Sequence, residues 1–289
     1  MKLLIKIVLI YFLTLFASNS GEILQNVSGK ISEFASSVIP GEGLTEVNIE
    51  IKEGQEPDFT ILGVRDIYNN ENSNFFTQFS LHNNDVGGEE RYIGNLGFGY
   101  RFLTNDESIM VGVNSFYDKD LKEGHARGSI GLEARASVVE FNVNQYYSLT
   151  NMKTISGTDE QSIGSIDYKL SSQIPYMPWG EFSWTGYKHE ADKATVDTEG
   201  DIFSLEMALT PSLQLDLSRD KSNHADGDVS AINLFFIYPP RDNKSTLADG
   251  FINDEIWRKE SMKNKLSDKV ERNNNLVIEI QGSVIITSK

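Results

Sequence analysis

The stretch Tyr92-Ile93-Gly94-Asn95-Leu96-Gly97-Phe98-Gly99-Tyr100-Arg101-Phe102 decides the fold class. Its even-numbered positions carry aromatic and aliphatic side chains with one glycine, whereas its odd-numbered positions include Asn95, Arg101 and two glycines. Successive side chains of a strand point to opposite faces, so this alternation predicts a half-buried β-strand. The sequence therefore indicates a sheet with one apolar face and one polar face.

The same alternation recurs between residues 44 and 238, which predicts an all-β, antiparallel domain. Apolar and polar faces of this kind occur in soluble sheets and in membrane barrels alike. The gaps after odd-numbered strands are mostly long and polar, and those after even-numbered strands are mostly short, which is typical of outer-membrane barrels. We therefore predict a twelve-stranded outer-membrane β-barrel with strands at about 44–52, 58–67, 75–82, 91–103, 108–118, 125–135, 138–149, 161–171, 179–188, 201–210, 212–219 and 228–238.

The two faces of these strands predict two environments. The apolar set is expected to face lipid, and it comprises Leu96, Phe98, Tyr100, Val111, Val113, Leu132, Phe141, Leu205, Leu213 and Leu215. The polar set is expected to face a wet lumen, and it comprises Asn95, Arg101, Asn114, Asp118, Arg127, Glu133, Arg135, Glu140, Asn142, Gln214 and Asp216. Glycines on the inward face are expected to leave room for a second backbone to approach, namely Gly97, Gly99, Gly112 and Gly131.

The N-terminus has the layout of a secretory signal peptide over residues 1–20. Lys2 and Lys6 precede an apolar run over 7–17, which is too short to span a bilayer as a helix, and small residues follow it. Apolar residues at helical spacing then predict a short amphipathic, periplasmic helix within residues 21–43. Export across the inner membrane is therefore expected.

Composition excludes several function classes. The formal net charge of −16 argues against nucleic acid as a partner, because phosphates need a basic face. The chain has no cysteine, and its four histidines lack metal-ligand spacing, so no thiol chemistry, metal site or cofactor is expected. His125 and Ser129 share a strand face, but no oriented base or oxyanion site accompanies them, so no enzymatic activity is predicted.

Residues 239–289 differ in character from the predicted barrel. Pro239 and Pro240 end the last strand, and a polar stretch follows. Arg272-Asn273-Asn274-Asn275 is a turn signal, and the residues after it alternate as in an extended segment. This region is interpreted as a linker that continues into a short, vestigial start of a further domain.

Four strings, in order and spacing, resemble the barrel domain of intimin and invasin, the inverse autotransporters. They are Phe75–Asn84, Asn95–Arg101, Gly112–Asp118 followed by Gly124–Arg127, and Val270–Val277. The resemblance implies a barrel that anchors in the outer membrane and exports a C-terminal segment through its lumen to the cell surface. The linker would include Arg272, Asn273, Asn274 and Asn275, and mixed charges on the lumen wall would hydrogen-bond it.

The resemblance also implies partners and a family role in cell adhesion and invasion. The implied partners are outer-membrane lipid and lipopolysaccharide, the barrel-assembly machinery, periplasmic chaperones and an unidentified host-cell or surface receptor. Tandem immunoglobulin-like repeats, which carry adhesion in this family, are not found in this sequence. A porin-like channel without a passenger and a soluble periplasmic binding barrel remain alternative readings.

Overall fold

The computed structural model describes residues 39, 41–53, 55–224, 228–281 and 283–285. The predicted signal peptide and residues 21–38 and 40 of the predicted helical segment lie outside the described residues. In the part of the chain that is described, no helix has the length and apolar character needed to cross a membrane.

Twelve antiparallel strands close into a barrel, because the first strand pairs with the last. The prediction of a twelve-stranded antiparallel barrel is therefore confirmed. The barrel strands are β1 (Thr45–Lys52), β2 (Asp58–Asn69), β3 (Ser73–Val86), β4 (Glu89–Leu103), β5 (Ile109–Asp120), β6 (Ala126–Ala136), β7 (Val139–Ser148), β10 (Ser165–Ile174), β11 (Met177–His189), β12 (Thr198–Thr210), β13 (Leu213–Ser222) and β14 (Val229–Tyr238).

The barrel has two different ends. At the turn end, the strands are joined by residues 70–72, 104–108, 137–138, 175–176 and 211–212. At the loop end, they are joined by residues 53–57, 87–88, 121–125, 149–164, 190–197 and 223–228. The sequence predicted a long loop between β3 and β4, and this was wrong. Both strands continue to a two-residue turn at Gly87-Gly88, where φ is 64° and 84°, a region that favours glycine.

A small second sheet lies at the loop end. It contains β8 (Lys153–Ile155) and β9 (Thr158–Ser162), within the β7–β10 connection, and β15 (Ile278–Ile280) and β16 (Ser283–Ile285), in the C-terminal region. The strand order is β16-β15-β9-β8. We call it the cap sheet, and it joins the C-terminal region to a barrel loop.

Most of the predicted lipid-facing side chains lie exposed on the outer wall. Leu96, Phe98, Tyr100, Val113, Leu132 and Phe141 are each 44–53% exposed, and Val111 and Leu205 are half-buried.

Leu213 and Leu215 depart from the expected exposure. They project on the side opposite Gln214, yet they are only 1% and 6% exposed, because they pack in a cluster with Leu209, Ile232 and Phe236. Adjacent large side chains on β12, β13, β14 and β1 cover one another there, which alternation within a single strand cannot reveal.

The inward glycines do not leave room for a second backbone, contrary to the prediction. A Cβ atom on Gly97 would lie 2.2 Å from the Phe116 ring, and one on Gly99 would lie 2.3 Å from the Phe76 ring. Equivalent atoms on Gly112 and Gly131 would collide with the Glu133 side chain and with the side-chain amides of Asn144 and Asn114, respectively. The glycines accommodate neighbouring wall side chains rather than a second backbone.

Candidate functional site

The C-terminal part of the chain crosses the barrel lumen from the turn end to the loop end. Residues 239–261, the mouth strap, run along the turn end, and residues 262–277, the lumen segment, follow. The Met262 N–H donates to the Glu107 carbonyl in the β4–β5 turn. At the other end, the Ile163 N–H donates to the Val277 carbonyl, and β15 pairs with β9. The lumen segment therefore passes through the whole barrel.

Several side chains of the lumen wall hold this segment by its backbone carbonyl groups. Arg101 donates to the Leu266 carbonyl at 2.9 Å, and Arg135 donates to the Lys269 carbonyl at 2.8 Å. Further donors to carbonyl groups of the segment are Asn74 to Leu266 at 3.1 Å, Arg101 to Asp268 at 2.5 Å, Asn144 to Glu271 at 3.1 Å, Arg127 to Asn273 at 2.9 Å and Asn95 to Asn274 at 3.0 Å. Because a carbonyl is present at every residue, these contacts do not depend on the side chains of the threaded chain.

The side chain of Arg272 in the lumen segment is held by a buried ion pair with the wall. Arg272 donates to both carboxylate oxygens of Asp118, at 3.0 and 2.7 Å. Asp118 also accepts from Arg127 at 2.9 and 2.8 Å and from Asn95 at 2.7 Å. The side chains of Arg272, Arg127 and Asp118 have no exposed area. Two guanidinium groups therefore share one buried carboxylate, and removal of that carboxylate would leave both uncompensated.

Aromatic rings of the wall frame this ion pair. The Arg272 guanidinium lies 4.2 Å from the centre of the Phe116 ring, and that of Arg127 lies 4.1 Å from the Tyr146 ring. The Tyr146 hydroxyl accepts from the Asn273 N–H at 2.8 Å and donates to Asp167 at 2.6 Å. Cation–π contacts and hydrogen bonds thus fix the position of residues 272–273.

A chain of alternating charges lines the lumen nearer the turn end. Glu133 binds Arg101 at 2.6 Å and Arg135 at 2.9 Å, and Arg135 also lies 3.6 Å from Glu140. Glu140 in turn accepts a hydrogen bond from Lys265 of the lumen segment. Each of these four wall charges thus lies beside one of opposite sign, and the segment adds Lys265 as a further cation.

The other predicted lumen residues lie on the inward face but form no hydrogen bond to the lumen segment within the described residues. Asn114 and Asn142 are buried, and among the described residues neither atom of the Asn142 side-chain amide has a hydrogen-bond partner. Gln214 accepts from Arg241 of the mouth strap at 2.9 Å and donates to Asp216 at 3.0 Å. The lumen segment is thus contacted directly by Asn95, Arg101, Asp118, Arg127, Arg135 and Glu140. Glu133 is linked to it only through Arg101 and Arg135.

Sequence reasoning missed an apolar patch inside the lumen. Val270 of the lumen segment packs against inward side chains of β2, β3 and β5, namely Leu62, Val64, Phe76 and Phe116. The Val270 N–H donates to the Gln78 side-chain carbonyl at 2.7 Å. The available signal was the interruption of alternation, since Phe76 follows Phe75 and Phe116 precedes Tyr117 on the polar phase of their strands.

The lumen segment does not fill the lumen. Its contacts lie mainly with β3 to β7, and a cavity of about 160 Å³ remains beside β11 to β14 and β1. Glu50, Glu206 and Asp216 line it, together with Lys169 and Lys269. A second cavity of about 300 Å³ lies at the turn end between the wall and the mouth strap. Both are lined in part by charged side chains and are large enough for water.

Polar contacts hold the cap sheet at the loop end of the barrel, directly after the lumen segment. Glu279 of β15 accepts from the N–H groups of residues 192, 193 and 194 at 2.7–2.8 Å. Glu160 of β9 forms a two-fold hydrogen bond with Arg91 at 2.7 and 2.8 Å. Two loops and one barrel strand therefore hold the C-terminal region at the loop end.

The pair considered for catalysis is not assembled. The His125 Nε2 atom lies 3.6 Å from Glu160, whereas the Ser129 hydroxyl accepts from Arg272 at 3.3 Å. Within the described ranges, no group of three or more histidine, aspartate or glutamate side chains could hold a metal ion.

Comparisons with known proteins agree with this geometry. A family model described as "Inverse autotransporter, beta-domain" matches residues 17–274. The inverse autotransporter adhesin YeeJ of Escherichia coli K12 is 25% identical over 223 residues, which cover 73% of this chain and 9% of that protein. Invasin of Yersinia enterocolitica is 25% identical over 154 residues, which cover 51% of this chain and 18% of that protein.

A solved membrane-protein structure ("Unveiling the Mechanism Behind the in-meso Crystallization of Membrane Proteins") superposes with a TM-score of 0.65 at 18% identity. The superposition covers 82% of this chain and all of the other one. At this identity the likeness concerns the fold alone. The chain thus spans a small part of the length of the two curated relatives and the full length of this solved barrel.

Proposed function

The chain belongs to the inverse autotransporter β-domain family, and on that premise we propose that this outer-membrane barrel exports its own C-terminal segment and anchors it at the cell surface. The observation that carries the proposal is the passage of residues 262–277 through the lumen with wall side chains bound to backbone carbonyls. Contacts to carbonyls suit the transit of an extended chain of any sequence, and Arg272 with Asp118 sets the register in which transit stops.

The orientation follows from the connections between strands. Outer-membrane barrels place short turns in the periplasm and longer loops outside. The turn end would then face the periplasm, and the loop end with its cap sheet would face the exterior. The C-terminus would lie at the cell surface, after a signal peptide at residues 1–20 has directed the chain across the inner membrane.

The proposal extends to a role in adhesion and to the partners of the barrel. The two curated relatives are named an adhesin and an invasin, and this chain matches only 9% and 18% of their lengths. We include a role in adhesion through a surface receptor of unknown identity as part of the proposal. Lipopolysaccharide, the barrel-assembly machinery and periplasmic chaperones are the further partners expected of an outer-membrane barrel.

The experiment that tests export locates the C-terminus on living cells. An epitope tag is placed after Lys289, and antibody binding is measured on intact and on permeabilised cells. A tag in the 190–197 loop serves as the surface control, and a tag in the 104–108 turn serves as the periplasmic control. We expect the C-terminal tag to follow the loop control. A tag that reacts only after permeabilisation, like the turn control, would refute the proposal.

A further inference from the structure

The cap sheet meets the barrel at a contact between strand β4 and the hairpin of β8 and β9. Glu160 of β9 accepts two hydrogen bonds from the Arg91 guanidinium of β4, at 2.7 and 2.8 Å. Arg91 also donates to Asp120, the last residue of β5, at 3.3 Å. The side chains of Arg91 and Asp120 are each 1% exposed, and that of Glu160 is 6% exposed. A buried set of ion pairs therefore joins the cap sheet to the barrel.

A histidine lies beside these ion pairs without taking part in them. His125, the last residue of the β5–β6 loop, has no exposed area, and its Nε2 atom lies 3.6 Å from the Oε2 atom of Glu160. That oxygen already accepts from Arg91 at 2.7 Å. Among the described residues, neither ring nitrogen of His125 has a hydrogen-bond partner. A buried imidazole in this position is held in its neutral form, because burial disfavours the charged one.

The charges around the His125 ring are balanced while the ring is neutral. Arg91 of β4 and Lys153 of β8 face it as cations, and Asp120 of β5 and Glu160 of β9 face it as anions. A proton on His125 would add a third cation to two anions, and it would compete with Arg91 for the Glu160 carboxylate. An uncompensated buried charge destabilises the arrangement that holds it. Burial and the nearby Lys153 ammonium accordingly hold the pKa of His125 below its usual value.

We propose that His125 is an acid-sensitive latch, whose protonation weakens the pairing of Glu160 with Arg91 and loosens the cap sheet from the barrel. The change reaches the C-terminal region directly, because β9 pairs with β15 over Ile278–Ile280. Since the docked state holds the neutral ring, its stability is complete above the pKa of a free histidine, about 6.5, and is lost as the pH falls below that value. The latch is independent of export, because it requires only the docked cap sheet.

The test measures hydrogen–deuterium exchange of the full-length chain in detergent at a pH of about 7.5 and of about 5.5, on either side of the pKa of a free histidine. Protection factors, which correct for the pH dependence of exchange itself, are compared for residues 158–162 and 278–280, where β9 and β15 pair. Residues 95–101 of β4 report on unfolding of the barrel. His125→Gln and His125→Phe remove the titrating ring, and His224→Gln, in another loop at the same end, is the matched control.

In the wild-type chain, we expect protection of β9 and β15 to fall at the lower pH by up to about tenfold, because one pH unit below the free pKa corresponds to that factor. Residues 95–101 should keep their protection. The loss should be absent in His125→Gln and His125→Phe and should persist in His224→Gln.

A wild-type cap sheet that keeps its protection at the lower pH would overturn the proposal, and this outcome needs no variant. An equal loss of protection in either folded His125 variant would also overturn it, because another titrating group would then loosen the cap sheet. A loss that extends to residues 95–101 would overturn it as well, since acid would then unfold the barrel rather than release the cap sheet.

Discussion

The guanidinium group of Arg272 donates two hydrogen bonds to the carboxylate of Asp118, across 154 positions of the sequence. Asp118 belongs to the wall and Arg272 to the lumen segment, so this pair defines how far the chain has advanced through the barrel. Several other wall contacts recognise carbonyl groups and could form in several registers, whereas Lys265 with Glu140 and Lys269 with Glu46 also join side chains of the segment to the wall. The pair of Arg272 and Asp118, whose side chains have no exposed area, is therefore one of the contacts that distinguish the observed register from its neighbours.

Removal of the Asp118 carboxylate should loosen the lumen segment. In Asp118→Ala, Arg272 and Arg127 remain buried without their anion, which we expect to cost about 3–5 kcal/mol. Hydrogen–deuterium exchange of residues 270–275 should rise accordingly, and the midpoint of thermal unfolding in detergent should fall. Asp242→Ala, which removes an exposed carboxylate of the mouth strap, serves as the matched control. Unchanged exchange in Asp118→Ala would contradict the assigned role.

The lumen segment should control ion flow. Deletion of residues 262–289 removes the segment and leaves the twelve barrel strands intact, so a large increase in conductance is expected in planar bilayers. Deletion of residues 278–289 alone removes only the β15–β16 side of the cap sheet, and conductance should stay low. If the full-length chain conducts as well as the longer deletion, the porin-like reading is the better one.

An arginine on the outer face of the wall should destabilise the barrel more than an arginine on its inward face. Leu132→Arg places a cation on the exposed outer wall near the middle of β6 and should cost on the order of 2–4 kcal/mol. Ser218→Arg lies on the inward face, beside the acidic cavity lined by Asp216, and should be far milder. Urea-induced unfolding in lipid vesicles measures both. Equal penalties would show that the assignment of faces is wrong.

Glu279 should hold the loop at residues 190–197. Its carboxylate accepts three backbone N–H groups, and hydrogen bonds to a charged group each contribute about 1.5–3 kcal/mol. In Glu279→Ala, hydrogen exchange in this loop should accelerate by at least about tenfold, the equivalent of roughly 1.4 kcal/mol. Glu255→Ala, an exposed site at the other end of the barrel, is the control. A loop that keeps its protection would show that β9 and β15 suffice to hold the cap.

The sequence alone determined the barrel and its strand number. A period of two over residues 44–238 is a local property, because each strand must present opposite faces to lipid and to water whatever its partners are. Polar residues such as Asn95, Asp118 and Arg127 were therefore identifiable from their own neighbours in the chain. Local patterning also identified the change of character after Tyr238, where the linker begins.

Only the tertiary structure decided which groups meet. Arg272 binds Asp118, Val270 packs with Phe76 and Phe116, and Glu279 binds the loop at residues 190–197. These partners are far apart in the sequence, and no periodicity predicts such contacts. Leu213 and Leu215 share the pattern of Leu96, yet neighbouring strands bury them. Burial and pairing depend on the side chains of adjacent strands and of the threaded segment, so they are settled by closure of the barrel around its own tail rather than by the order of residues within a strand.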